Sequence, residues 1–336
     1  MWFLLTGCLL SVVDKNTLTT TSPETMRLGD VEMACALGAT MAPMTMTMDP
    51  VQLRRTSAFS LISAAMCPEL DAWEHELARM QATWMAANSD EPGTWGALAQ
   101  DAAEQELRAH QVAAQRNLWV WERIVLEYGL PGEGECPALA PEEEFLYLMG
   151  LASGSLAVLH DGKTDRTLGV SLKIPRQVER GAACLDNDAW YGVPEALRAA
   201  VWVAVPGAGP EGVDAWAVLD QSATAGDGQG MFLSRSLQAQ TAGAAGEDEL
   251  LRDAIRAHDE AWRAGGDPDF ALLNNYAHRI IRHESDRIWM DATGHRTPNG
   301  RLGTFPDDED DLDFDLDAFF GVPDPPEAPP PEEPTP

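Results

Sequence analysis

Proline constrains this chain more than any other residue. It donates no backbone hydrogen bond and clashes with the preceding turn, so a helical sequence tolerates it at the first turn or at a break. Pro50, Pro68, Pro141, Pro175, Pro194 and Pro268 each stand just ahead of a run rich in Ala, Leu and Glu with helical spacing. Asp49 and Asp267 then fall where N-caps belong, and Glu142, Glu143 and Glu144 fall where the helix dipole favours negative charge. The spacing predicts helices near 30–48, 50–66, 68–87, 95–128, 141–160, 175–185, 194–205, 213–225, 229–242, 247–264 and 268–290. Strand-like alternation is scarce. The expected fold is therefore all-α: stacked antiparallel helical hairpins, built as degenerate tetratricopeptide-like repeats, because short connections make successive helices antiparallel neighbours and no strict 34-residue period is visible.

The two ends differ in kind from this body, which is placed at 29–292. Residues 9–28 are rich in Thr and Ser and read as a tether. Residues 303–336 combine an acid run with a Pro-rich terminus and read as a disordered acidic tail. Within it Leu312, Phe314, Leu316, Phe319 and Phe320 form an acidic-hydrophobic patch with the composition of a docking motif. A net charge of −31 repels phosphate backbones, which excludes nucleic acid as the expected partner.

The first residues, "MWFLLTGCLL", are apolar and resemble the lipobox of bacterial lipoproteins, Leu5-Thr6-Gly7-Cys8. On that reading residues 1–8 are a short lipoprotein-type signal and Cys8 is the acylated residue, so the chain faces the periplasm on a lipid anchor. Cys35, Cys67, Cys136 and Cys184 remain, an even number that permits three disulfide connectivities in an exported protein. Buried free thiols are the alternative.

Two stretches stand out as candidate sites. Met33, Leu37, Met41, Met44 and Met48 recur at helical spacing, which places them on one face. Thioethers suit either an apolar core or cavity lining, the preferred reading, or a Cu(I) site, the rival one. In "FLYLMGLASGSLAVL" Gly150, Ser153, Gly154 and Ala157 give a small-residue face, suited to tight packing or to a narrow apolar passage, and Tyr147 is placed with them on the cavity or packing face. Other motifs fall short. "DFDLDAFFGVPD" fails as a Ca²⁺ loop at Ala318, where glycine is needed. "GDGQG", Gly226 to Gly230, lacks a Walker lysine and reads as a joint between helices. His278 and His283 are five apart and diverge. With neither a GxSxG elbow nor an HExxH pair, no metal or cofactor is expected and the chain is expected not to be an enzyme.

Residues 141–290 resemble the T-component (TatT) family of TRAP-transporter-associated lipoproteins. The resemblance is carried by "FLYLMGLASGSLAVL", by "VPEALRAAVWVAVPGAGPEGVDAWAVLDQSATAGDGQGMFLSRSLQAQ" and by "DPDFALLNNYAHRIIRHESDRIW". It implies a non-enzymatic, lipid-anchored accessory protein with cryptic tetratricopeptide-like helical pairs. Its partner would be a periplasmic solute-binding protein, its ligand a hydrophobic small molecule, its state compatible with a homo-oligomer, and its membrane contact the lipid anchor alone. The alternatives are a general helical-repeat interaction scaffold and a Met-rich Cu(I)-handling protein.

Overall fold

The computed structural model describes residues 10–49, 51–132 and 134–308. Cys8 and the patch Leu312, Phe314, Leu316, Phe319 and Phe320 lie outside the described residues. A helical stretch at 10–16 runs through a π turn, Thr17–Thr21, into α1 (Ser22–Leu28). There follow α2 (Val31–Met48), α3 (Arg54–Asn88), α4 (Pro92–Tyr128), α5 (Pro141–Gly162) and α6 (Ile174–Ala182). The chain continues through α7 (Val193–Ala204), α8 (Ala215–Asp227), α9 (Leu233–Ala245), α10 (Asp248–Ala264) and α11 (Ala271–Thr293). The fold is all-α, and the described residues contain no strand.

From α2 to α11 each helix packs against the next, as short connections require. The dominant unit is the hairpin of α3 and α4, with α2 laid on α3 and α5 on α4. The stack then turns back: α9 touches α7 and α11, and α11 packs on α3 and α1, so the last helix closes on the first long hairpin. The main core fills the space among these elements, with Leu61, Ile124, Leu146, Leu151 and Leu272 almost wholly buried. All four described cysteines are paired. Cys35–Cys67 joins α2 to α3, and Cys136–Cys184 joins the α4–α5 loop to the end of α6.

Several expected helix starts are present in detail. Asp49, expected as the N-cap of a helix from residue 50, instead closes α2 and caps the turn 51–53 ahead of α3, accepting from the N–H groups of Val51 and Gln52 (3.0 and 2.9 Å). Asp267 accepts from Asp269 N–H (2.9 Å) at the 3-10 turn Pro268–Phe270 that leads into α11. Pro141 and Pro194 stand in the first turns of α5 and α7.

Pro68 is the exception, and it corrects the division between 50–66 and 68–87: both lie in one 35-residue helix, α3. Pro68 removes the N–H that would bond the Ala64 carbonyl four residues earlier. The Arg116 guanidinium of α4 reaches across the hairpin and donates to that same Ala64 oxygen. A tertiary donor replaces the missing helical one, and the helix continues.

Both ends also differ from expectation. The 9–28 segment is no free tether over its described residues, 10–28. Asp14 is 3% exposed, and its carboxylate accepts from Thr56 N–H (2.8 Å), the Thr56 hydroxyl (2.7 Å) and Arg55 Nε (2.6 Å) at the start of α3. Leu18 and Met26, eight residues apart on one face, are buried. The threonines that suggested a tether turn their hydroxyls inward, as Thr17 does to Val13 O (3.1 Å) and Thr25 to Thr21 O (2.8 Å), which makes a polar composition compatible with a packed helix. At the other end the packed body extends beyond 292 and past 303 to residue 308. Phe305 is buried with the Arg252 and Arg256 guanidinium groups 4.7 and 4.9 Å from its ring centre, and Trp289 Nε1 donates to Thr304 O (3.0 Å).

The Pro68–Arg116 relation predicts a specific non-additivity. Arg116→Ala leaves the Ala64 carbonyl without a donor and should cost about 1–3 kcal/mol in urea unfolding. In a Pro68→Ala background, where the helical N–H is restored, the same change should cost at least about 1 kcal/mol less. Equal costs in the two backgrounds would contradict the exchange of donors.

Candidate functional site

The two stretches singled out by sequence do not meet. On α5, Tyr147, Ser153 and Ala157 are buried, and the glycines are points of close approach to α4. A Cβ at Gly150 would fall 2.1 Å from Ile124 Cγ1, and one at Gly154 2.5 Å from Trp121 Cε3. The small-residue face is thus a packing surface against α4. Tyr147 packs edge-on to Tyr128 (5.6 Å between centroids) and borders a small cavity of about 250 Å³ beside the Cys136–Cys184 disulfide.

The methionine stripe faces outward, which corrects the expectation of core or cavity lining. Met33, Met41, Met44 and Met48 are 57, 37, 53 and 63% exposed. The neighbouring arc of α2, Ala34, Cys35, Gly38, Ala42 and Thr45, is buried in their place. Small residues win because they let two backbones approach. A Cβ at Gly38 would lie 2.5 Å from both Ala64 N and Ser60 O, and the Cys35–Cys67 bond fixes the same rotation.

A different site lies between α3 and α11, a cleft of about 600 Å³. Cys67, Leu70, Trp73 and Leu77 of α3 supply its apolar floor. Arg279, Arg282, His283 and Asp286 of α11 supply the facing wall, with Glu32, Asp71, Glu74 and Arg296 also lining it. Arg279 pairs with Glu32 (2.5 Å) and Arg296 with Glu74 (3.0 and 2.6 Å). Arg282 bonds the neutral Asn299 (3.3 Å) and makes no ion pair among the described residues. The result is an apolar floor ringed by carboxylates and guanidinium groups, in which Arg282 acts on the Asp286 carboxyl through charge alone and is the lining arginine outside any close ion pair among the described residues.

Behind the floor runs a buried seam of ionisable groups. Glu69, Trp73 and Glu76 share one face of α3, spaced four and three apart, and meet Tyr276, His283 and Arg287 of α11. The Tyr276 hydroxyl donates to Glu69, whose other carboxylate oxygen stands 3.4 Å from His160 Nε2. His160 in turn meets His110, Nδ1 to Nδ1, at 2.9 Å. Trp73 stacks on Tyr276 and His283, with centroids 6.2 and 5.0 Å away. His283 Nε2 stands 3.1 Å from Glu76, and Arg287 spans Glu76 (3.4 Å) and Glu284 (2.8 Å).

The electrostatics follow from burial and partners. Burial pushes the Glu76 carboxyl up, but the His283 bond and the charges of His283 and Arg287 outweigh it and bring the pKa down to about 2. Burial, and then the charge of the adjoining Glu69, hold the Tyr276 hydroxyl well above its ordinary range, so it remains a donor. Burial raises Glu284 and Asp286. Burial and the neighbouring His160 lower His110 to about 4. A second imidazole pair, His258 Nε2 and His278 Nδ1 at 3.1 Å, lies under Trp262. Burial lowers these two to about 3 and about 4. His278 and His283 do diverge, each to a different partner.

This seam was not anticipated from the sequence. Its signal is polar residues in register with apolar faces: Glu69, Trp73 and Glu76 in "ELDAWEHEL", and Tyr276 and His283 seven apart in "NNYAHRIIRHESD". Comparison with family models, curated proteins and solved structures gives no match to this chain.

The lowered imidazoles set the sign of an acid response. His110, His258 and His278 stay neutral in the fold down to about 4, 3 and 4, whereas unfolded histidine protonates near 6.5. The unfolded chain binds the extra protons, so the stability these groups provide is complete above about 6.5 and is lost as pH falls. Thermal melts between pH 6.5 and 5, above the main carboxylate range, should show a loss of about 1 kcal/mol per group per pH unit. His258→Gln should flatten the slope. A pH-independent melting temperature across that window would contradict the assignment.

Proposed function

We infer that this chain is a non-enzymatic, lipid-anchored accessory or scaffold protein of the bacterial envelope, facing the periplasm, in the manner of a TRAP-transporter T-component. It holds a hydrophobic ligand bearing an anionic group, or the corresponding surface of a solute-binding protein partner, in the α3–α11 cleft. The observation that carries this reading is the cleft's lining: Leu70, Trp73 and Leu77 beneath Arg282, the lining arginine that makes no close ion pair among the described residues. An apolar body would cover the floor while a carboxylate or sulfonate takes the guanidinium, the usual division of labour in a small-molecule site.

The disulfides support the compartment, because such bonds persist in oxidising surroundings. A binding role is favoured over catalysis by the way the reactive groups are committed. The Cys67 sulfur is in a disulfide, the Ser285 hydroxyl bonds Thr297 (2.8 Å), and the Glu76 carboxylate is locked between His283 and Arg287.

Two measurements test this. The mass of full-length protein extracted from membranes should show both disulfides and a diacylglyceryl group on Cys8; free thiols with an unmodified Cys8 would contradict the compartment and the anchor. The naphthalene sulfonate dye ANS, an apolar body with one anionic group, should bind the native protein. Arg282→Glu should weaken that binding about tenfold or more, about 1.4 kcal/mol, with the helical circular dichroism unchanged. Equal binding to both proteins would contradict recognition in the cleft.

A further inference from the structure

We propose that the outer face of α2 is a membrane-contact surface, lying on the neutral, zwitterionic part of a lipid bilayer beside the anchor. The proposal rests on the anchored reading above and goes beyond it, since that reading gives the membrane no contact except the lipid itself.

The face is continuous and uncharged. Met33, Leu37, Met41, Met44 and Met48 run along α2 and leave it for Val51, all of them exposed. From Met33 to Met48 the helix carries no charged residue, in a chain whose net charge is −31. The threonines interspersed on the exposed side bond their own helix, Thr40 to Ala36 O (2.8 Å) and Thr47 to Pro43 O (2.7 Å), so their hydroxyls do not depend on water. Gly38 against α3 and the Cys35–Cys67 disulfide prevent α2 from rolling the stripe inward. Unbranched, polarisable Met side chains suit a disordered apolar medium.

The position of the segment just after Cys8 selects the bilayer as occupant. Asp14 and Thr17 both bond Thr56 at the start of α3, and the chain then runs toward α11, where Gly29 O accepts from Asn275 (2.6 Å). Residues 10–13 therefore point the opposite way, toward the end of the body where α2 stops and Val51 is exposed. Val12, Val13 and Leu126 are exposed there too, Leu126 lying beside Arg54 through its carbonyl (2.8 Å). Cys8 precedes Leu10 by two residues, a reach of at most about 7 Å. An acyl group on Cys8 would hold this end at the lipid surface, and α2 would lie along it as an interfacial helix does.

A second copy of the chain fits less well. A helix of 18 residues offers a face of roughly 27 by 10 Å, well short of the roughly 800 Å² per partner of a stable interface. Two copies of net charge −31 also repel. A tethered face needs only weak affinity, because the anchor supplies the effective concentration. The same negative charge disfavours anionic lipid, hence the neutral surface.

Methionine oxidation reads this directly. Full-length protein is treated with peroxide with and without excess phosphatidylcholine vesicles, and sulfoxides are counted by peptide mass spectrometry. Met41, Met44 and Met48 should oxidise about fivefold or more slowly on vesicles, while Met85, on the far half of α3, is unchanged. Met44→Glu with Met48→Glu should abolish the protection of Met41. The Cys8 peptide in the same spectra reports acylation, so loss of the anchor and loss of the face are separate results. Unprotected methionines in acylated, vesicle-held protein overturn the face while leaving the anchor standing. If Cys8 proves unacylated, protection at high lipid concentration still supports the face, and its absence overturns it. Protection that appears without lipid and grows with protein concentration assigns the face to a second copy and overturns the bilayer.

Discussion

A buried carboxylate that has surrendered its water must keep its partner, and the packing of α11 on α3 depends on that requirement. Glu69 and Glu76 are both buried on α3, one turn either side of Trp73. Each is answered from α11, Glu69 by Tyr276 and Glu76 by His283 and Arg287. Apolar helix faces can slide by a residue at modest cost, whereas a slide here would strand ions in a dry interior, a loss of several kcal/mol. The seam therefore fixes the register in which the last helix closes on the first hairpin. It also positions the cleft, since Trp73 and His283 belong to both.

Much of this fold was legible because local chemistry and global packing agree. Asp267, Pro141 and Pro194 start helices on terms that depend on a few residues, and the Gly226 to Gly230 joint separates α8 from α9 as its composition suggests. What stayed hidden depended on partners remote in sequence. Pro68 reads as a helix start until Arg116, 48 residues later, is known to take the Ala64 carbonyl. The Thr-rich start reads as a tether until its hydroxyls are seen bonding back to their own helix. The periodicity of α2 identified two faces without saying which one is inside. Hydropathy favoured the methionines, and close backbone approach at Gly38 decided for the smaller residues.

The cleft was illegible for a related reason. Its floor is a helix face that also serves the core, and its charges come from segments more than 200 residues apart, as in Arg296 with Glu74. The shape of the cleft and the stability of the fold are coupled through this geometry. Arg279 and Arg296 are held to Glu32 and Glu74, which leaves Arg282 facing the open cleft from a frame that cannot easily shift. The outward methionines belong to the same logic: α2 spends its small residues on α3 and the cleft disulfide, and its large ones remain for whatever lies outside.

The closing of α11 on α3 through the seam is the claim on which both cleft and fold depend, and native-state amide hydrogen exchange tests it most directly. The account predicts that amides of α11 around Tyr276 to Arg287 exchange with a free energy matching the core of the α3–α4 hairpin, and that Glu76→Ala lowers both together. Exchange of α11 at low cost while α3 and α4 stay protected, unaffected by loss of the Glu76 carboxylate, would contradict it.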